Sequence, residues 1–124
     1  MVKQGKVAGQ VLGTAEIQVE NITSTANEGV SIDFKKYGHV IYGRVVVSGT
    51  GLTLGGSWVT LGSIPQQYAL STGNIIVPGA SGSDASSRVQ VCLLPDGTIM
   101  ARNQTSSSDK SMGSWYSGYF SYII

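Results

Sequence analysis

The chain has 124 residues, enough for one hydrophobic core and too few for two. Charged residues make up 12% of it and the formal net charge is +1, so there is no basic excess to neutralise nucleic-acid phosphates. No apolar run approaches the roughly 18 residues that span a bilayer, and Met1 to Lys6 lacks the apolar centre of a signal peptide; neither membrane insertion nor Sec export is expected.

Seventeen glycines in a background of Val, Ile, Thr, Ser and Tyr favour strands and turns over helices. Residues 1–14 are glycine-punctuated and weakly patterned. They read as an N-terminal edge strand or linker ahead of a domain over 15–124. Ala15 to Glu20 alternates, which predicts Ala15, Ile17 and Val19 facing inward and Glu16, Gln18 and Glu20 outward. Asn21 to Gly29 reads as a loop and Val30 to Phe34 as a strand. Lys35-Lys36-Tyr37-Gly38 reads as a tight turn. The longest strand is expected over 39–48, with both faces covered at Val45-Val46-Val47 and Arg44 in need of a partner if buried.

Leu52-Thr53-Leu54 is a short piece between glycines. Ser57 to Tyr68 predicts a strand carrying Trp58, a break at Gly62-Ser63 and a corner at Pro65, which cannot donate to a ladder. Asn74 to Val77 is a strand stopped by Pro78-Gly79, and Ala80 to Ser87 a loop of small residues. Arg88 to Leu94 places Val89, Val91 and Leu93 on one face, Pro95-Asp96-Gly97 turns the chain, and Thr98 to Arg102 returns it. Asn103 to Gly113 is a second polar loop. The last strand, Trp115 to Ile124, places Tyr116, Gly118, Phe120, Tyr122 and Ile124 on one face. The expected fold is all-β: an antiparallel β-sandwich or jelly roll of about eight strands.

Catalytic chemistry finds little support. His39 is the lone histidine, beside a turn, and no Gly-x-Ser-x-Gly elbow exposes a serine. There is no His or Cys cluster at zinc spacing, and Asp84, Asp96 and Asp109 stand apart, so neither a metal nor a cofactor is expected. Glu16 and Glu20 share the outer face of one strand, a solvated pattern and not a facing glycosidase pair. Cys92, the single cysteine, reads as a small core residue. What remains is a binding surface of aromatics beside polar loops. Sugar C–H faces pack on aromatic planes while their hydroxyls seek amide, carboxylate and guanidinium groups. The candidate saccharide contacts are Arg102, Asn103, Asp109, Trp115 and Tyr116. Trp58, inside an alternating strand, is expected to fill the core.

The order of several motifs also carries a resemblance. These are Gly38-His39-Val40, the Trp58 to Tyr68 corner, Asp96-Gly97-Thr98-Ile99, and Ser114-Trp115-Tyr116-Ser117 ahead of an aromatic strand. Over about residues 30–124 the chain resembles the C-terminal domains of bacteriophage tail and baseplate proteins, especially receptor-binding or upper-baseplate proteins of phages and prophages of Gram-positive bacteria. Relatives often carry Gly-Tyr-Arg-Pro where this chain has Gln67-Tyr68-Ala69-Leu70. The resemblance implies a β-sandwich head, usually a homotrimer, at a virion tail tip or baseplate. It implies non-catalytic attachment to host cell-wall or surface polysaccharide, or a structural role binding only other virion proteins. A cleaving tail enzyme is the third reading, disfavoured by the missing carboxylate pair.

Overall fold

Strand alternation, turn glycines and two aromatic rings build the molecule. The computed structural model describes residues 18–48, 53–81, 89–103, 110–111 and 116–124. Twelve strands lie among them, beginning with β1 (Val19–Ile22), β2 (Thr25–Ala26), β3 (Val30–Tyr37), β4 (Val40–Val47), β5 (Thr53–Leu54) and β6 (Val59–Ser63). There follow β7 (Ile75–Pro78), β8 (Ala80–Ser81), β9 (Val89–Leu93), β10 (Thr98–Asn103), β11 (Lys110–Ser111) and β12 (Tyr116–Ile123). Eight of them have four residues or more, and the only helical piece described is a three-residue 3-10 turn, Gln66–Tyr68.

The strands form two five-stranded antiparallel sheets and a small β11–β5 ribbon. The first sheet runs β2-β6-β10-β9-β7 and the second β1-β3-β4-β12-β8. Their inner faces meet in one core containing Leu61, Val91 and Ile99 from the first sheet and Phe34, Val45 and Phe120 from the second. This is the expected antiparallel sandwich.

The second sheet is built on three strands paired over eight residues each. At its middle, Gly43 stands between Phe34 and Phe120 in the register. A Cβ on Gly43 would lie 2.2 Å from the Phe34 ring, so only glycine leaves room for that ring. The two phenylalanine rings approach to 5.7 Å between centroids. Such a pair contributes about 0.5–1.5 kcal/mol beyond the burial of its area.

In the first sheet the corner is anchored to a turn. Leu94-Pro95-Asp96-Gly97 closes with the Gly97 N–H donating to the Leu94 carbonyl at 2.9 Å. Gly97 has φ +95°. Its carbonyl accepts from the Ile64 N–H at 2.9 Å, fixing the chain as it leaves β6. The Asp96 carboxylate accepts from the Thr98 backbone N–H at 2.9 Å, and that bond holds its pKa below the usual value.

Several expectations need correction. β6 does not break at Gly62-Ser63. It runs to Ser63 and absorbs Leu61 as an extra residue opposite the Ile99–Met100 step, a β-bulge that keeps both Leu61 and Gly62 buried. The tight turn is Gly38-His39, because Lys35 to Tyr37 still pair with β4. β1 has the opposite phase to that expected. Ile22 packs inward opposite Phe34, so Glu20 shares its side and Val19 is exposed. The loop at 21–29 contains β2, which pairs with β6 in the other sheet; Asn27 pins it through its side-chain amide to the Thr60 carbonyl at 2.8 Å. Val46 is only half-buried and Arg44 is exposed, so that part of β4 has one wet face. Ala80–Ser81 pairs with β12 rather than lying in a loop. Trp58 is half-buried and outside the core. Cys92 is buried, as expected, and burial pushes its thiol pKa up. Residues 1–14 lie outside the described residues.

Three glycines separate strain from space. Gly97→Ala combines positive φ with a Cβ 2.0 Å from the Ile64 carbonyl oxygen and should cost about 3 kcal/mol or more in urea denaturation. Gly38→Ala has φ +61° but open space, and about 1 kcal/mol is expected. Gly73→Ala meets nothing within 4 Å and should change stability by less than about 0.5 kcal/mol. Equal effects at all three would contradict the anchored corner. The Asp96 bond also has a pH signature. Its carboxyl pKa is lower folded than unfolded, so its contribution is present above the ordinary carboxylate range and lost as pH falls through the folded value. Asp96→Asn should flatten that acid limb of the stability curve.

Candidate functional site

The period of two along β9 and β10 sends alternate side chains to opposite faces of the first sheet. Val91, Ile99 and Ala101 go inward and are buried; Gln90 and Arg102 go outward. The register lines up Pro78, Gln90 and Arg102 across β7, β9 and β10. Because Val59 pairs with Ala101, the residue before it, Trp58, reaches Arg102. The Arg102 Nε donates to the Gln90 side-chain carbonyl at 2.9 Å. Its guanidinium carbon lies 4.6 Å from the centre of the Trp58 ring. A next row on the same face runs Ile76, Cys92, Met100 and Thr60.

This arrangement is specific chemistry on a stiff support. Arg102 is held from one side by an amide and from another by an indole. Cation–π contact of this kind is worth about 0.5–2 kcal/mol depending on exposure. Only Nε is used by Gln90, so the two terminal nitrogens retain donors in a fixed plane beside an aromatic edge. Such a surface can accept carbonyl, hydroxyl or carboxylate oxygens on one side and an apolar ring face on the other.

Of the five candidate contacts, the structure places Arg102 on this surface. Asn103 follows it in β10 and therefore points inward; it is fully buried, and its backbone N–H donates to the Gly55 carbonyl at 2.8 Å. Tyr116 is also fully buried, in the core beneath β12. Its hydroxyl has no hydrogen-bond partner among the described residues, and burial holds its pKa well above the usual phenol value. A ligand on the outer surface reaches neither side chain. Asp109 and Trp115 lie outside the described residues. Reading by residue type did not separate the two strand faces. Alternation from the buried Val91 would have found Gln90, whereas the Trp58 contact depends on cross-strand register.

Two other aromatics serve the corner. The Tyr68 hydroxyl donates to the Glu20 carboxylate, and that bond raises the Tyr68 pKa. The Tyr122 hydroxyl donates to the Tyr68 carbonyl at 2.6 Å. Together they tie β1, the 3-10 turn and β12. His39 lies exposed in the Gly38-His39 turn. Among the described residues no group of three or more His, Cys, Asp or Glu could hold a metal ion, and no helix is long and apolar enough to cross a membrane.

No family model and no curated protein matches the chain. A solved structure does. The fold is similar to that of the head domain of lactococcal phage bIL170, described among the receptor-binding domains of lactococcal phages. The TM-score is 0.59 at 18% sequence identity, covering 88% of this chain and 99% of that one. At that identity the likeness is one of fold.

The Arg102 contacts predict a graded response. Arg102→Ala should lower stability by about 1 kcal/mol in guanidinium chloride and increase the solvent exposure of Trp58, read by fluorescence quenching in a Trp115→Phe background. Arg102→Lys should recover the charge but not the fixed plane, giving quenching close to that of the alanine variant. Quenching unchanged in Arg102→Ala would show that the stack does not form in solution.

Proposed function

We propose that the chain is a non-catalytic receptor-binding module of a phage tail, and that it attaches to saccharides on the bacterial surface through Trp58, Gln90 and Arg102. The single observation that carries this reading is the guanidinium held between Gln90 and the indole ring on the outer face of the first sheet, where all three side chains are half-buried. The fold's similarity to the head domain of a lactococcal phage supports the receptor-binding part. Asp109 and Trp115, on the segment joining β10 to β12, are proposed as further contacts.

The module works in the virion, at the tail tip or baseplate, as a homotrimer. A single site of this size is shallow and binds weakly. Three copies per head and several heads per particle multiply the effective affinity without any new contact. Host polysaccharide suits such a device because its repeating units offer many equivalent sites.

A second reading is a structural module that binds only other virion proteins. The exposed Val19 and Ile123 favour it, since apolar side chains on a sheet edge suit contact with protein. Pull-down of host cells separates the two. The intact chain should bind host cells and purified host polysaccharide, and Trp58→Ala or Arg102→Ala should each weaken that binding by about tenfold or more while the fold persists. Full binding by both variants would remove the site from this surface. No binding to any glycan or host cell, with capture by a virion protein, would establish the structural reading. Light scattering should give three times the chain mass; a monomer would reject the homotrimer for this chain.

A further inference from the structure

The outer face of the second sheet holds a feature that the Trp58 surface does not use. Tyr37, Tyr42 and Tyr119 border an open groove of about 550 Å³ whose floor includes Gly43 and Phe120. Two register rows cross it. One is Asp33, Arg44 and Tyr119; the next is Lys35, Tyr42 and Ser121. Tyr42 and Tyr119 are 52% and 62% exposed, although both sit mid-strand where a sheet face is normally half-covered. Tyr37 meets Tyr42 edge-on, with centroids 5.5 Å apart at 81°. The rings are therefore preset on stiff strands, and binding costs little ordering entropy.

The charges do not cancel. Lys35 Nζ donates to both Asp33 carboxylate oxygens, at 3.0 and 3.2 Å. That is the only ion pair among the described residues. The Arg44 guanidinium instead stands 6.0 Å from the centre of the Tyr119 ring and makes no side-chain hydrogen bond or ion pair among the described residues. One guanidinium is thus left with its donors free beside the tyrosine rings that border the groove, and the three nearest charged side chains sum to one positive charge.

We propose that this groove is a second ligand site, which binds a sugar ring carrying an anionic group, a phosphate or a carboxylate. The ring's C–H face stacks on Tyr119 or Tyr42, and its hydroxyls reach Ser121, Asp33 and the tyrosine hydroxyls. The anionic oxygens take the Arg44 fork, a geometry guanidinium matches with two parallel bonds. A neutral sugar leaves the guanidinium without its counter-charge. A purely apolar ligand leaves it desolvated and unpaired, which is costly. The site lies on the opposite sheet from Trp58 and Arg102, and it stands or falls separately from the saccharide reading given for them.

The test is a backbone amide NMR titration of the full chain with glucose 1-phosphate, glucuronate and glucose in parallel. Glucose 1-phosphate, glucuronate or both should shift the amides of residues 33, 42–44 and 119–121, with affinity about tenfold or more above that of glucose. The arm that binds better identifies phosphate or carboxylate as the anion. Arg44→Gln should abolish the preference for the charged sugar. Tyr119→Ala should weaken all three. Trp58→Ala should leave these shifts unchanged, which separates failure here from failure of the other surface. Arg44 and Tyr119 are at exposed positions, and urea denaturation checks that all three variants fold. Absence of shifts at these amides, or equal affinities for glucose and its charged counterparts, would overturn the proposal. Shifts there that follow protein concentration without sugar would also overturn it, and would assign the groove to contact between copies.

Discussion

The sandwich depends on a position without a side chain. Phe34 and Phe120 come from strands on either side of β4 and meet above Gly43, whose missing Cβ is the space they share. Each ring buried in this way contributes about 1.5–3 kcal/mol over its exposed state. A methyl group at position 43 would displace the Phe34 ring and with it the contact between the rings. The three long strands are thereby held in one register along their whole length. Everything carried on their outer face, including the row of Asp33, Arg44 and Tyr119, takes its placement from that lock. The first sheet is fitted to it at Gly118, where an added Cβ would lie 3.0 Å from Val91. The two layers therefore approach more closely at that point than side chains on both sides would allow.

The stiffness matters for binding. Shallow surface sites gain little from burial, so their affinity rests on how little must be ordered when the ligand arrives. Trp58 and Arg102 constrain each other, and Gln90 constrains Arg102. On the opposite sheet Tyr37 and Tyr42 do the same for one another. Neither arrangement needs a loop to close. Rings and guanidinium groups carried on or beside paired strands are thus held in place before any ligand arrives.

Much of this architecture was legible in the sequence. Alternation in Val89 to Leu93 and in Tyr116 to Tyr122 gave the right inner face, and Pro95-Asp96-Gly97 gave the turn that the structure shows. The errors share a cause. Alternation fixes that two faces exist but not which one is buried when a strand end overhangs the core, so the phase it predicts for β1 is the reverse of the one in the structure. The bulge at Leu61 leaves no local mark because its cost and benefit lie in the partner strand. The same limit explains the site. Arg102 could be chosen by type, but Asn103 beside it looks equally polar and is turned inward by a single step along β10. Trp58, placed by its alternating surroundings in the core, lies outside it. Its actual partner is 44 positions away, and only pairing of β6 with β10 brings them together.

Strand alternation in β9 and β10 means that one stretch of chain carries two interleaved messages. Positions 91, 93, 99 and 101 set the volume of the core, while positions 90 and 102 face outward and are free of it. A substitution in the second set changes what the surface offers and leaves the packing arithmetic of the first untouched. Such a fold can exchange its recognition chemistry by single steps, each compatible with folding, where a binding loop would often have to change its length or course. Selection acting on the surface would then rewrite one parity of the strands and spare the other. Two proteins of this fold could come to share an architecture while keeping little of each other's text.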